Sequence, residues 1–333
     1  MILIFTNKED VHPKPVIENL NRMGIPVFRF NSEALLTDYN FSWWSRGTGC
    51  GFRITNIHSG LTLDNKNLTA VWDRRPEYPN ELFVKNTEDI NQFNLDEAKG
   101  FLRFFRGYIC RVPSIGSIAY DGMAASKMLQ YDIAQKVGFN VPATCFSNRK
   151  DDIICFASHF REVALKPIAS EGIDYRDGTE RVFYTQKIDS FSLEDVPKEA
   201  FLQTANFVQE YLPKAYELRV TVVCDKIFSC RIDAQQLDED DGRVDWRQGY
   251  DKGLKHSVYQ LPEEIARKCL DYLKEMKLNF GAFDFVVTPS GEYFFLECNP
   301  NGQWLWIEMR TGLKISEAIT EVLSDFKRIE IYS

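Results

Sequence analysis

The sequence lacks the features of a membrane, secreted or nucleic-acid-binding protein. Its 333 residues contain no run of about 18 or more apolar residues, so we expect no membrane span. The start, MILIFTNKED, has no basic segment followed by an apolar one, which favours a cytoplasmic protein over a secreted one. Basic residues are too few and too scattered for a nucleic-acid surface, since 40 Lys and Arg face 48 Asp and Glu and the net charge is −8.

The sequence also has little that could form a zinc site or a disulfide framework. None of its eight cysteines falls in a C-x-x-C pair, and none of its four histidines lies in a recognisable motif. Most cysteines have apolar neighbours, which predicts reduced core residues. This composition leaves an α/β enzyme or a binding protein, and only the motifs can separate the two.

Hydrophobic patterns predict three successive units, at 1–115, 116–212 and 213–333. In the first, the strand 2–5, a helix that starts near Pro13 and a strand at 26–30 predict a βαβ unit with a parallel sheet. Strands are also predicted at 41–45, 50–54 and 68–73, followed by a long helix with Thr87 as its N-cap.

The second and third units mix strands with helices. Gly138 is expected to end a helix over 123–137, and 170–179 is expected to form a polar loop. The remaining predicted elements are strands at 143–146, 162–167, 181–185, 207–211 and 216–223, helices at 152–160 and 198–204, and a hairpin over 280–298.

The hairpin carries the most informative group of polar residues. With Ser290 and Gly291 at the centre of a two-residue turn, Asp284 lies directly opposite Glu297, and Asn299 shares their face. Two adjacent carboxylates repel each other unless a cation lies between them, and hard oxygen ligands suit Mg²⁺. The alternative is a hairpin whose polar face is simply solvated.

Charged residues elsewhere fit a phosphate-binding site. Lys166 ends an apolar strand before the 170–179 loop, and Lys127 lies on a helix, although each could also be a solvated surface charge. The segment FVQEYL (207–212) predicts a strand that ends in a linker, whose backbone could pair with an adenine edge. Glu217 could hold ribose hydroxyls, or it could form a same-face ion pair with Arg219.

Taken in order, these elements resemble the ATP-grasp ligases over roughly residues 115–325. The elements are Lys127, Lys166-Pro167, Q-E-Y-L at 209–212, E-L-R at 217–219, D-F at 284–285 and E-C-N-P-N-G at 297–302. Within that superfamily the sequence is most similar to the graspetide synthetases, the microviridin-type enzymes that crosslink ribosomal peptides. VWDRRP at 71–76, RIDAQ at 231–235 with DWR at 245–247, and ECNPNGQWLWIE at 297–308 extend the resemblance into the first unit.

The resemblance implies an α/β (α+β) ATP-grasp fold, with an N-terminal parallel-sheet pre-ATP-grasp domain, a central domain and a C-terminal domain. It also implies ATP and Mg²⁺ as cofactors and assigns roles to individual residues. Lys127 and Lys166 match phosphate-binding lysines, Glu210 and Leu212 the adenine linker, Glu217 the ribose carboxylate, Asp284, Glu297 and Asn299 the metal ligands, and Arg219, Arg231 and Arg247 basic catalytic positions. Two features depart from the family pattern: the 170–179 loop has only two glycines, and Asp73 stands where an aromatic residue is expected.

The implied reaction activates Asp or Glu side chains of a precursor peptide as acyl phosphates and joins them to Ser or Thr hydroxyls or Lys amines. The expected partners are a precursor with a leader and a core rich in Thr, Ser, Asp and Glu, and a second copy of the chain in a homodimer. A ligase acting on a free amino acid or a protein terminus is one alternative. A nucleotide-binding protein without catalysis is another, although the intact metal and phosphate residues argue against it.

Two further features leave alternatives open. The acidic run Asp238, Glu239, Asp240 and Asp241 could contact a basic leader or could simply be solvated. Trp304 and Trp306 could exclude water from a labile acyl phosphate or could pack in the core.

Overall fold

The computed structural model describes residues 1–47, 49–116, 121–168, 172–175, 178–238, 240–249 and 252–331. The elements of the first unit, in chain order, are β1 (Ile2–Thr6), α1 (Pro13–Arg22), β2 (Val27–Asn31), α2 (Leu35–Asp38), β3 (Tyr39–Arg46), β4 (Gly49–Asn56), β5 (Thr62–Asp64), β6 (Ala70–Asp73), α3 (Glu88–Ile109) and β7 (Ser114–Ile115).

The first unit contains a parallel sheet in the order β2-β1-β6-β7, as the βαβ pattern predicted. The apolar run of β1 is fully buried because the strand lies in the middle of this sheet. An antiparallel sheet β3-β4-β5 packs beside it, with α3 contributing Leu102 and Phe105 to their common core. Thr87 precedes α3 in an extended conformation as predicted, but its side chain makes no capping hydrogen bond.

The second unit contains the elements α4 (Asp121–Ala124), α5 (Lys127–Lys136), β8 (Thr144–Ser147), α6 (Lys150–Ala157), β9 (Glu162–Lys166), β10 (Gly172–Asp174), β11 (Glu180–Val182), β12 (Gln186–Asp189), α7 (Lys198–Phe201) and β13 (Asn206–Glu210). Its main sheet is antiparallel in the order β12-β9-β13-β8.

Three predictions for this unit need correction. The helix expected over 123–137 is divided into α4 and α5, and Ser126 caps α5 through the Leu129 N–H; Gly138, at φ +87°, follows the end of α5 as predicted. The described ends of the expected 170–179 loop pair as the antiparallel ladder β10-β11, while 169–171 and 176–177 lie outside the described residues. The helix expected at 198–204 is the single turn α7, and β12 was missed because its alternation is polar.

The third unit contains β14 (Tyr216–Val223), β15 (Lys226–Ile232), α8 (Asp240–Val244), β16 (His256–Val258), α9 (Glu263–Glu275), β17 (Phe280–Val287), β18 (Tyr293–Asn299), α10 (Leu305–Thr311) and α11 (Ile315–Ser324). Its antiparallel sheet has the order β16-β15-β14-β17-β18. Within the described residues, short 3-10 helices lie at Ser32–Ala34, Ser190–Asp195, Ala234–Gln236, Trp246–Gly249 and Phe326–Arg328.

Each face of this third sheet has its own core. One face packs against α5 and α9 around Phe283 and Phe295. The other face shares a core with the first unit, in which Ile4 and Val16 pack with residues of the third unit that include Ile307 and Ile319. α5 belongs to the second unit by its position in the chain, but it packs on the sheet of the third unit. The boundaries at 115/116 and 212/213 therefore stay a prediction.

The 280–298 hairpin has the predicted pairing for a different reason. Its turn is a three-residue turn, in which the Thr288 N–H donates to the Glu292 carbonyl and Gly291 has φ +85°. That turn pairs Val287 with Tyr293, one residue out of the predicted register. A β-bulge between Asp284 and Phe285 restores the register, so Asp284 does face Glu297.

Candidate active site

A cavity of about 610 Å³ lies between the main sheet of the second unit and the sheet of the third unit. β9 and β13 form one wall, and the Glu217 face of β14 with β17 and β18 forms the other. Of the predicted site residues, those that line the cavity are Lys127, Lys166, Glu210, Leu212, Glu217, Arg219, Arg247, Asp284, Glu297 and Asn299.

Three lysines give the cavity its positive end. Lys166, the last residue of β9, donates to Gln209 Oε1 at 2.6 Å. Burial, and then the charges of Lys214 and Lys127, lowers the pKa of Lys166 to about 7. A polyphosphate bound among these amines would relieve their mutual repulsion, so the cavity favours an anionic ligand.

Glu217 is a buried carboxylate, and one of its two oxygens has no hydrogen-bond partner among the described residues. Lys214 Nζ donates to its Oε1 at 2.7 Å, and the side chain is 6% exposed. Within the described part of the chain, its Oε2 accepts no hydrogen bond. Burial raises the pKa of Glu217, and Lys214 opposes that shift. An unpaired buried oxygen on a cavity wall fits a hydroxyl donor, such as a ribose.

The linker after β13 also lines the cavity. The Glu210 N–H donates to the Ala143 carbonyl at 2.9 Å, and Glu210 Oε2 accepts from the Ala143 N–H at 3.3 Å. These bonds fix the end of β13, and Leu212 lies two residues farther along the cavity wall. Glu210 and Leu212 thus line the cavity, and their role in binding adenine stays a prediction.

The predicted metal ligands converge at the edge strand β18. Asp284 and Glu297 are directly opposite each other, and Asn299 projects from the same face. Arg219 Nη1 donates to Asp284 Oδ2 at 2.6 Å, and Lys127 forms an ion pair with Glu297.

This donor set fits Mg²⁺, which binds one or two carboxylates and completes its shell with phosphate oxygens and water. Arg219 and Lys127 already balance the charges of Asp284 and Glu297, as two adjacent carboxylates require. No group of three or more His, Cys, Asp or Glu side chains with metal-ligand spacing occurs in the described residues, so a metal here would depend on the nucleotide for further ligands.

The three predicted arginines have different surroundings. Arg219 lines the cavity and pairs with Asp284, so the alternative of an ion pair with Glu217 is wrong. Arg247 also lines the cavity, where its Nη2 donates to Asp245 Oδ2 at 2.7 Å. Burial alone would raise the pKa of Asp245, but the hydrogen bonds and charge of Arg247, together with the Thr185 N–H, outweigh burial and lower it.

Arg231 does not line the cavity among the described residues. Its neighbours in β15, Cys230 and Ile232, are buried in the core shared with the first unit, so Arg231 projects from the opposite face of the sheet. There its guanidinium lies 4.0 Å from the Tyr216 ring centroid and pairs with Asp233 at 2.7 Å. Contrary to the prediction, the structure therefore does not bring Arg231 to the phosphate site.

The acidic run lies away from these groups. Asp238 is exposed and does not line the cavity, and Glu239 lies outside the described residues. Asp240 and Asp241 begin α8. A contact between this run and a leader peptide stays a prediction.

The two tryptophans have separate environments. Trp304 is fully buried and packs edge-on against His12, whereas Trp306 lines the cavity and stacks near Trp246. Cys298 is buried on the opposite face of β18, as predicted.

Several cavity residues were missed in the sequence. Lys214 had a usable signal, because a lysine three residues before the ribose carboxylate is an obvious partner for it. Gln209 was part of the quoted QEYL motif, but its bond to Lys166 depends on strand pairing that the sequence does not show. The other missed lining residues include Arg75, Tyr131, Thr185, Asp245 and Gln303.

Comparison with known proteins finds similarity among solved structures alone. Neither protein-family models nor curated protein sequences give a match. A RiPP-associated ATP-grasp ligase from Chryseobacterium gregarium, solved with ADP and a leader and core peptide, is 27% identical with a TM-score of 0.89 over 100% of this chain and 99% of its own.

Two macrocyclases from Microcystis aeruginosa MRC are also similar. MdnC, solved with the precursor peptide MdnA, is 29% identical with a TM-score of 0.83 over 97% of this chain and 99% of its own. MdnB is 26% identical with a TM-score of 0.77 over 97% of this chain and 98% of its own.

The predicted fold and resemblance are confirmed. The chain has the α/β ATP-grasp fold and is similar along nearly its whole length to RiPP-associated ATP-grasp ligases. Within the described residues, no helix is both long and apolar enough to cross a membrane.

The low pKa of Lys166 predicts a stability signature in the nucleotide-free protein. An unfolded lysine keeps its proton up to about pH 10.5, whereas folded Lys166 releases it near pH 7. The unfolded state therefore binds more protons between these values, and the free energy of unfolding rises with pH there, by up to about 1.4 kcal/mol per pH unit from this group. Lys166→Met is expected to be more stable than the wild type at pH 7 and to show a flatter rise to pH 9.

Urea denaturation at pH 7, 8 and 9 measures this difference. Lys136→Met, which removes an exposed lysine paired with Glu275, is the control and should retain the wild-type rise. Parallel curves for the wild type and Lys166→Met would contradict the depressed pKa.

Proposed function

We propose that this chain, an ATP-grasp ligase, is an ATP-dependent peptide macrocyclase that releases ADP. The observation that carries the proposal is the single cavity in which Lys127, Lys166, Glu217 and the Asp284–Glu297–Asn299 set meet. The similarity of 26–29% identity to two macrocyclases and a RiPP-associated ligase supports peptide as the substrate.

The cavity residues divide the reaction between binding and charge neutralisation. The linker after β13 binds adenine, Glu217 Oε2 accepts a ribose hydroxyl, and the lysines bind the phosphates. Asp284, Glu297 and Asn299 would hold Mg²⁺, which supplies charge neutralisation at the transferring phosphoryl group. Arg219 keeps Asp284 oriented, and Arg247 places a positive charge on the cavity wall.

The chemistry proceeds in two displacements. A substrate carboxylate attacks the γ-phosphorus, the bond to the β–γ bridging oxygen breaks, and ADP leaves with an acyl phosphate formed. A Ser or Thr hydroxyl or a Lys amine then attacks the acyl carbon, loses its proton, and inorganic phosphate leaves. Trp306 on the cavity wall reduces the access of water to the acyl phosphate.

The partner in this proposal is a precursor peptide with a leader and a core rich in Thr, Ser, Asp and Glu. The enzyme acts in the cytoplasm as a homodimer. Support for a peptide comes from the neighbours solved with precursor, leader or core peptides. The core composition follows from the chemistry, because each crosslink consumes one carboxylate and one nucleophile.

The unpaired oxygen of Glu217 predicts a nucleotide-specific effect. Glu217→Gln should weaken ATP binding by about tenfold because a charged hydrogen bond to the ribose is lost. Dideoxy-ATP, which lacks both ribose hydroxyls, should bind the wild type and the variant equally. Calorimetry with both nucleotides measures the effect, and an equal loss for the two would place Glu217 elsewhere in the mechanism.

The reaction itself is tested by mass spectrometry of a precursor peptide incubated with enzyme, ATP and Mg²⁺. Each crosslink should lower the peptide mass by one water and release one ADP and one phosphate. Glu297→Gln should reduce turnover at least about a hundredfold with an unchanged fold, because a metal ligand loses its charge.

Glu292→Gln, at the exposed turn of the same hairpin, is the matched control and should retain activity. Unchanged peptide mass together with ATP-dependent addition of a free amino acid to an acceptor would favour the small-molecule ligase. Near-normal turnover by Glu297→Gln would exclude the metal site.

The acidic run predicts a salt-dependent contact with a basic leader. Replacing Asp238, Glu239, Asp240 and Asp241 by their amides should weaken peptide binding and flatten its salt dependence, with ATP affinity unchanged. Fluorescence anisotropy of a labelled precursor at low and high salt measures this. The charge control is Glu88→Gln with Asp89→Asn, at the start of α3. Equal peptide binding by the neutralised variant at low salt would show that the run is only solvated.

A further inference from the structure

The VWDRRP segment has no role in the chemistry described above, yet the structure places it against the metal-ligand strand. Asp73 ends β6, where Arg106 Nη2 donates to its Oδ2 at 2.5 Å. Arg74 and Arg75 follow, and Arg75 lines the cavity. The intervening Arg74 is only 1% exposed and points to the turn that follows β18.

Arg74 holds the backbone of that turn from the first unit. Its Nη1 donates to the carbonyl of Asn301 and, at 3.2 Å, to the carbonyl of Gly302. The contact is reciprocal when the Asn301 amide is assigned with its nitrogen toward β6, as the surrounding carbonyls require: that nitrogen then donates to the carbonyls of Asp73 at 2.9 Å and Arg74 at 3.0 Å. Two backbone segments that are more than 200 residues apart in sequence are therefore fastened together.

A buried polar cluster orients Arg74. Asp10 Oδ2 lies 3.5 Å from Arg74 Nε and accepts from Thr6 Oγ1 at 2.8 Å. Asp10 Oδ1 accepts from His12 Nδ1 at 3.0 Å, which leaves His12 Nε2 to accept from the Trp304 N–H at 3.3 Å. The loop after β1 thus contacts the same turn at a second point.

The turn lies tightly against the sheet of the third unit at Gly302. A Cβ added at Gly302 would lie 2.3 Å from Ala282 Cβ and 3.0 Å from Arg219 Nη2. Only glycine fits between the sheet and the turn, so the position of the turn and the positions of the cavity residues depend on each other.

The turn is bonded directly to one predicted metal ligand and, through Arg219, to a second. The Asn301 N–H donates to Asn299 Oδ1 at 3.0 Å. Arg219 Nη2 donates to the Gln303 carbonyl at 3.2 Å while Nη1 of the same guanidinium holds Asp284. Displacement of the turn would therefore change the orientation of two of the three predicted ligands.

We propose that Arg74, oriented by Asp10, is a positioning residue that sets the geometry of the Mg²⁺ site through the 301–303 turn. This inference rests on the proposed function, because it assigns the first unit a part in the same reaction. Arg74 is not among the described residues that line the cavity, and it acts through Asn299 and Arg219.

The test compares ADP binding by calorimetry with and without Mg²⁺. Arg74→Lys keeps the charge, but a single ammonium group cannot both donate to the turn, as Nη1 does, and lie beside Asp10, as Nε does. The Mg²⁺ concentration at which ADP affinity is half-maximally enhanced should rise at least tenfold. Loss of a group that orients metal ligands weakens metal binding by about this factor. The ADP affinity of the variant without Mg²⁺, which depends on Lys166 and Glu217, should be unchanged.

Two further variants separate positioning from stability. Asp10→Asn, which keeps Arg74 but loses the charge that orients it, should shift the Mg²⁺ dependence in the same direction by a smaller factor. Leu102→Ala opens a cavity in a core cluster of the first unit that includes neither Arg74 nor the 301–303 turn, so it should lower the melting temperature without changing the Mg²⁺ dependence. An unchanged Mg²⁺ dependence in folded Arg74→Lys, or an equal shift in Leu102→Ala, would overturn the proposal.

The readout needs no peptide, which keeps the two proposals distinguishable. A wild-type enzyme that leaves every precursor unchanged would contradict the macrocyclase, while a tenfold Mg²⁺ shift in Arg74→Lys would still support the positioning role. A wild-type ADP affinity that does not respond to Mg²⁺ would overturn both.

Discussion

The charged groups of the cavity depend on the pairing of β14, β17 and β18. Side chains alternate along these strands, so Arg219, Asp284 and Glu297 share one face only in this register. A slip of one residue would move the carboxylates into the apolar core around Phe283 and bring phenylalanines to the nucleotide. The buried aromatic residues on the other face therefore fix the chemistry as strongly as the ligands themselves.

The sequence predicted the fold and most of the charged residues that the structure brings to the cavity, because both rest on local patterns. The βαβ start, the strand at 216–223 and the ligand spacing all follow from residues close together in the chain. The hairpin pairing was right by compensation, since the three-residue turn shifts the register and the bulge between Asp284 and Phe285 shifts it back. Neither the three-residue turn nor the bulge has a strong sequence signal, so a motif match could not reveal either of them.

The rest of the site could not be predicted because it depends on contacts distant in sequence. Arg231 lies in a motif that matches the family, but strand alternation turns it to the opposite face from Arg219. The bond between Lys166 and Gln209 and the contact between Arg74 and the 301–303 turn join separate elements. Composition and spacing identify which residues carry charge, whereas topology decides which of them meet.

The core shared by the first and third units has a consequence for recombination. Val16 and Leu20 of α1 pack in the same cluster as Ile319 and Val322 of α11, so the beginning and the end of the chain complete one hydrophobic interior. The first unit therefore cannot be exchanged between ligases on its own, although its parallel sheet is separate from the sheet of the third unit. A chimera that takes this unit from another ligase must also take the last helix, or both partners will expose apolar surface that was complementary only within the original chain.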